Sequence, residues 1–210
     1  MLTFDGVFFS YPSKEILKKC SYSFQKGCYV IFGENGCGKS TFLKLGGGLL
    51  FPQKGEIRIG NVLSKDKKYG KSLISYIPDE PWLHPYMSVE DTFLFFEDMW
   101  KKQVLQEDWD FVLESLEAFG LQKWWKYSVK ALSRGNKQKL SWLLGLMKPS
   151  QVICVDEPVV GLDEFSLGVI LSLIKKVSQK KTILIASHHK SYFEGAHMID
   201  FNDIFLTKGL

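Results

Sequence analysis

Apolar and polar positions alternate through the first 32 residues, where LTFDGVFF and CSYSF carry aromatic or aliphatic side chains at close to every second place. That period predicts strands with one buried face. Gln25-Lys26-Gly27 reads as a turn, and the run CYVIF after it is apolar throughout, as expected of a strand covered on both faces in a parallel sheet. It passes directly into GENGCGKST and then FLKLGGGLL, an apolar helical pattern that stops at three glycines. From Ser88 the period lengthens. SVEDTFLFFEDMWKK opens with a Ser-x-x-Asp capping signal, and EDWDFVLESLEAFGL puts Trp109, Leu113, Leu116 and Phe119 near helical spacing before Gly120. A mostly helical insert, about 86–147, is predicted. Two apolar runs, QVICVDEP and KTILIASHH, then flank the helical pattern EFSLGVILSLIKKVSQ, and strand, helix, strand in that order predicts a parallel sheet. MIDFNDIFL near the end reads as a short hairpin turning at Asn202-Asp203.

Composition narrows this α/β reading without changing it. The chain has 210 residues, 45% hydrophobic and 24% charged, enough for a single domain with a substantial core. The 27 basic and 23 acidic residues leave a formal charge of +4, with lysine runs at KDKKYGK (65–71) and KKVSQKK (175–181). They lack the density and interleaved aromatics of a nucleic-acid face and read as solvated surface, so nucleic acid is not an expected partner. Cys20, Cys28, Cys37 and Cys154 show neither CxxC spacing nor histidine partners at metal-ligand intervals, which fits a reducing cytoplasm. No apolar run reaches the length of a membrane span, and the first residues do not have the pattern of an export signal.

The chemistry sits at the ends of the predicted strands. GENGCGKS, Gly33 to Ser40, satisfies G-x-x-x-x-G-K-[ST] between a strand and a helix. Glycines there let backbone N–H groups close on phosphates, Lys39 reaches the β- and γ-phosphates, and the Ser40 hydroxyl suits Mg²⁺. VICVDEP carries Asp156, a candidate Mg²⁺ ligand, and Glu157, a candidate general base toward the water that attacks a γ-phosphate. After the strand TILIAS, His188 is placed to reach the γ-phosphate; His189 is the adjacent alternative, and spacing does not choose between them. A further helix start, KALSRGNKQKL, joins a Ser and a Gly to Lys, Gln and Lys, and its N–H groups together with the helix dipole form an anion site.

Taken in order, GENGCGKST, LSRGNKQ, VICVDEPVVGLD and ILIASHH resemble the nucleotide-binding subunit of ATP-binding cassette (ABC) transporters, over essentially the whole chain. The resemblance implies a P-loop NTPase fold of ABC type: a mixed or parallel core sheet, an antiparallel β N-terminal region and an inserted helical subdomain, all in one domain spanning 1–210. It implies that Gly33, Asn35, Gly36, Gly38, Lys39, Ser40 and Thr41 bind ATP and that Tyr11 stacks on adenine. It implies that Ser133, Gly135 and Asn136 meet an ATP held by a second cassette, identical or different, and that Asp163 lies in a loop touching that partner. The anion expected at the basic helix start then belongs to a neighbour. The function implied is ATP binding and hydrolysis powering transport by separate integral-membrane subunits, with the chain peripheral on the inner face of the cell membrane.

Two positions depart from the family pattern. Leu132-Ser133-Arg134-Gly135-Asn136 stands where Leu-Ser-Gly-Gly-Gln is usual, and Asp79 stands where a Gln usually senses Mg²⁺ and the attacking water. Asp79 remains a candidate metal contact through water, with Glu80 as the alternative if the register slips by one. Trp82, Tyr86 and the pair Trp124-Trp125 are read either as core aromatics or as a groove for the membrane subunits. The departures also motivate a competing class, a weakly hydrolysing regulatory ABC module; a soluble ABC ATPase working on nucleic acid or ribosomes is the other alternative.

Overall fold

In the computed structural model, residues 1–66 and 70–206 are described, so the middle of the lysine run at 65–71 lies outside the described residues. Two compact units form: residues 1–76, 150–157 and 174–210, and residues 77–149 and 158–173.

The first unit holds two sheets. Strands β1 (Leu2–Tyr11), β2 (Lys14–Phe24), β4 (Lys54–Ile59) and β5 (Val62–Leu63) form an antiparallel sheet in the order β2-β1-β4-β5. The second sheet runs β6-β7-β8-β3-β9, from β6 (Ile74–Ile77), β7 (Val152–Asp156), β8 (Thr182–Ala186), β3 (Gly27–Phe32) and β9 (His197–Asp200). The pairs β7–β8, β8–β3 and β3–β9 are parallel. All five residues of β7 and of β8 are buried, as an uninterrupted apolar run requires.

Helix α1 (Lys39–Gly46) packs on β7 and β8, and its Phe42 stacks on Phe4 of β1 with centroids 4.4 Å apart. One amphipathic helix thus joins both sheets to one apolar core that also takes in Phe24, Ile57, Cys154 and Leu184. The chain ends differently from the expected hairpin. Strand β9 pairs in parallel with β3, and Phe201–Leu206 is helix α6. Asp200 accepts from the Asn202 N–H at its start, and Phe201 and Ile204, three residues apart, are both buried, which selects a helix over a turn.

The second unit is helical: α2 (Val89–Trp100), α3 (Gln106–Ala118) and α4 (Arg134–Met147), with the first part of α5 (Glu164–Ser178). Ser88 and Asp91 close a full capping box on α2. On α3 the buried stripe is Trp109, Val112 and Leu116, continued by Phe119, while Leu113 is exposed. Leu113 therefore borders that stripe at its solvent edge, and Val112, one place earlier, takes the buried position. Strands β4 and β6 carry no expectation from the sequence, although Ile57 and Ile59 are buried between the partly exposed Glu56 and Arg58, the period of a half-covered strand.

Candidate functional site

Parallel register brings three strand ends to one level in the first unit. Asp156 pairs with Ala186, and Ala186 with Ile31, so the residues that follow β7, β8 and β3 emerge side by side. The ladder runs on: Glu157 donates its N–H to Ala186 and Ser187 donates its N–H to Ile31. In an open α/β sheet this carboxyl edge is where ligands sit.

From β3 the chain enters the loop Gly33 to Gly38. Gly38, just before α1, has φ +128, and a Cβ there would lie 2.7 Å from Ile16 Cγ2 and 2.9 Å from Phe201 Cζ. Only glycine fits both the dihedral and the space. Lys39 is buried, and its Nζ donates to the Gly33 and Glu34 carbonyls at 2.8 and 2.9 Å. The loop thus folds around its own cation, while Asn35, Gly36 and Ser40 stay exposed. Lys14 Nζ reaches the Gly36 carbonyl, and the exposed Tyr11 brings its hydroxyl to 3.5 Å from Thr41 Oγ1.

The Ser40 hydroxyl donates to Asp156 Oδ1 at 3.1 Å, joining the start of α1 to the end of β7. Glu157, next along, holds φ +44. A left-handed backbone at a residue with a Cβ is costly, on the order of 1–2 kcal/mol, and here it turns the carboxylate toward β8. There Ser187 Oγ donates to Glu157 Oε2 at 3.1 Å, and His188 Nδ1 lies 2.9 Å from Oε1. The structure thus brings His188, and not His189, to Glu157; the His189 ring faces Tyr192 with centroids 5.6 Å apart. Ser187 was not anticipated from the sequence.

In the second unit, Ser133 is the N-cap of α4, its hydroxyl accepting from the Asn136 N–H. No acidic residue lies in the first turn of α4, and Arg134, Lys137 and Lys139 crowd its positive end, the reverse of the arrangement a helix dipole favours. Part of the compensation is internal: Arg134 pairs with Asp79 at 3.0 Å and Lys139 with Asp163 at 3.7 Å. The two departures from the family pattern are thus each other's partners. Gly135 makes a close approach, since a Cβ there would lie 2.9 Å from the Gly161 carbonyl oxygen. Asp163 caps α5: Ser166 donates its N–H to Oδ1 at 2.9 Å and its hydroxyl to Oδ2 at 2.7 Å. Those bonds, with a smaller contribution from Lys139, hold the Asp163 carboxyl down to about 2.

A cleft of about 520 Å³ lies beside this helix start, lined by the acids Asp79 and Glu80, the bases Arg134 and Lys137, and Leu83 and Pro85 among the apolar groups. Trp82 and Tyr86, in the same loop, are exposed, whereas Trp124 and Trp125 are half-buried, Trp125 packing on Phe93. Burial pushes the thiols of Cys20 and Cys28 up to about 12, and that of Cys154 up as well, and Cys20 and Cys154 pack in the core. Among the described residues no helix is long and apolar enough to cross a membrane.

Residues 17–160 match the ABC transporter family. The chain is 29% identical over 204 residues to the linearmycin resistance ATP-binding protein LnrL of Bacillus subtilis, covering 92% of this chain and 63% of the relative. It is 32% identical over 178 residues to the ABC transporter ATP-binding protein YybJ of the same species, covering 83% of this chain and 79% of the relative. Its fold is similar to a dimeric ATP-binding cassette, MJ0796, solved in a post-hydrolysis state with ADP and Pi: TM-score 0.80 at 22% identity, over 95% of this chain and 94% of that one. With the phosphate loop, the strand-borne acids and the sheet order in place, the chain belongs to the ABC transporter family, as an ATP-binding, ATP-hydrolysing cassette.

Proposed function

We propose that this cassette works in a pair, each ATP lying between the phosphate loop of one chain and the Ser133–Asn136 segment of the other, and that hydrolysis drives separate membrane-spanning subunits from the inner face of the membrane. The observation that carries the reading is the meeting of Lys39, Ser40, Asp156, Glu157 and His188 at neighbouring strand ends. In it, the loop N–H groups and Lys39 bind the phosphates, Tyr11 stacks on the base, and Asn35 and Thr41 complete the loop. Glu157, oriented by Ser187, takes the proton of the attacking water, and His188 donates toward the γ-phosphate. Ser133 and Gly135, with the basic start of α4, complete the anion site for the partner's nucleotide. The helical unit, 77–149 with 158–173, serves as the subdomain inserted into a single cassette.

The donors present fit Mg²⁺, a hard cation that takes one or two carboxylates together with phosphate oxygens and water. Ser40 and Asp156 would hold it. When bound it neutralises charge developing on the phosphate oxygens. In the loop beside the cleft, the exposed Trp82 and Tyr86 present the aromatic surface that a short helix of a membrane subunit would cover. A soluble cassette acting on nucleic acid or ribosomes is the weaker reading, since the matching family is that of ABC transporters and YybJ carries a transporter name.

The deciding experiment compares ATP hydrolysis by wild type and Glu157→Gln, each purified with its membrane partners. Wild type is expected to turn over, and Glu157→Gln to bind ATP with turnover at least about 100-fold lower. Two proteins that bind ATP and fail equally to hydrolyse it would replace the motor with a regulatory clamp. In the same preparation Trp82→Ala is expected to lose the membrane subunits while keeping ATP; unchanged co-purification removes the docking role.

A further inference from the structure

The carboxylate of Asp156 receives a hydroxyl on each oxygen. Ser40 Oγ donates to Oδ1 at 3.1 Å, and Tyr76 Oη donates to Oδ2 at 3.3 Å. Ser40 belongs to the phosphate-loop motif; Tyr76 belongs to none. It lies on β6, the strand beside β7 in the sheet. Its ring occupies space that Gly47 leaves at the end of α1: a Cβ on Gly47 would lie 2.8 Å from Tyr76 Cδ2 and 2.9 Å from the Leu43 carbonyl oxygen. Gly47 has an ordinary helical φ of −79°, so its backbone conformation does not call for glycine. The space does.

We infer that Tyr76 is a positioning residue for the cation bound with ATP: its hydroxyl anchors Oδ2 and thereby aims Oδ1 toward Ser40 and the metal. The inference rests on the Mg²⁺-ATP reading above. The torsion that turns a carboxylate about its Cβ–Cγ bond is broad, so a strand end alone does not set the plane of the group. A donor on one oxygen does, because an ionised acceptor draws a hydroxyl toward it, here at the long end of the range, 3.3 Å. Mg²⁺ tolerates little error in ligand direction, and partners behind a metal ligand typically change metal affinity about 10- to 100-fold. If Tyr76 served only as filler against Gly47, the ring would suffice and the hydroxyl would be dispensable.

Tyr76→Phe separates the two roles. Binding of a fluorescent ATP analogue is measured first in EDTA and then across a Mg²⁺ titration, with wild type alongside. Affinity in EDTA is expected to match wild type within about twofold, while the Mg²⁺ concentration for half-maximal effect rises about 10-fold. Gly47→Ala, which keeps the hydroxyl and displaces the ring, is expected to raise it as well and covers the case in which the Phe variant does not fold. An unchanged Mg²⁺ midpoint in either variant overturns the inference, as does an equal loss of affinity in EDTA. Failure of the wild type to bind the analogue at all would instead overturn the ATP reading itself.

Discussion

At the scale of single residues, the site is set by groups held in unusual positions. Glu157 keeps φ +44 because contacts to both oxygens of its carboxylate, Ser187 Oγ donating to Oε2 and His188 Nδ1 at Oε1, reward a backbone that would otherwise relax. The two adjacent histidines are therefore unequal. His188→Ala is expected to slow turnover at saturating ATP by one to two orders of magnitude, about 10- to 100-fold, and His189→Ala by no more than a few-fold. Equal losses in a steady-state assay would show that the contact with Glu157 does not matter to the rate. The phosphate loop was legible from the sequence because backbone demands leave few residue choices: Gly38 admits no Cβ and Lys39 must reach inward. Ser187 and Tyr76 were not legible, since serine and tyrosine are common at strand ends and only their neighbours across the sheet give them a role.

Elements show how charge is managed around the helix starts. Asp163 caps α5 with bonds to Ser166, so Asp163→Ala is expected to lower stability by about 1 kcal/mol at neutral pH. Its carboxyl is depressed from 3.8 to about 2, so the folded state binds the proton more weakly than the unfolded one. That contribution is complete above about pH 4 and is lost as pH falls through about 2, so the gap between wild type and Asp163→Ala should stay level from pH 8 to 5 and narrow below about pH 4. Urea unfolding at each pH reads this directly, and a gap that widens toward acid would contradict it. On α4, Arg134 and Asp79 form an exposed pair, worth at most about 1 kcal/mol and weakened by salt. A double-mutant cycle through Arg134→Ala and Asp79→Ala should return a coupling of that size at low salt, fading in about 1 M salt. Zero coupling under both conditions would leave the two departures unrelated.

For the whole molecule, the proposed pairing has a consequence that needs two different chains. Each site would take Lys39 from one protomer and Ser133 from the other. Lys39→Ala and Ser133→Ala proteins should each be nearly inactive alone and should regain turnover when mixed, because a mixed pair assembles one intact site. Hydrolysis measured against mixing ratio should peak near equal amounts. A mixture no better than its parts would mean that identical chains do not share sites head to tail.

The sequence by itself determined the family, the phosphate loop, the two acids after β7 and the helical character of the middle of the chain. Each of these is written locally, as a period, a cap or a run of glycines whose dihedrals few other residues accept. Tertiary structure alone decided that His188 rather than His189 meets Glu157, that Arg134 answers Asp79, that Phe201 begins a helix and that Tyr76 stands behind Asp156. These depend on residues far apart in the chain, 80 positions in the case of Tyr76 and Asp156. The spacing of a sequence does not encode such separations; strand order and register in the folded sheet do.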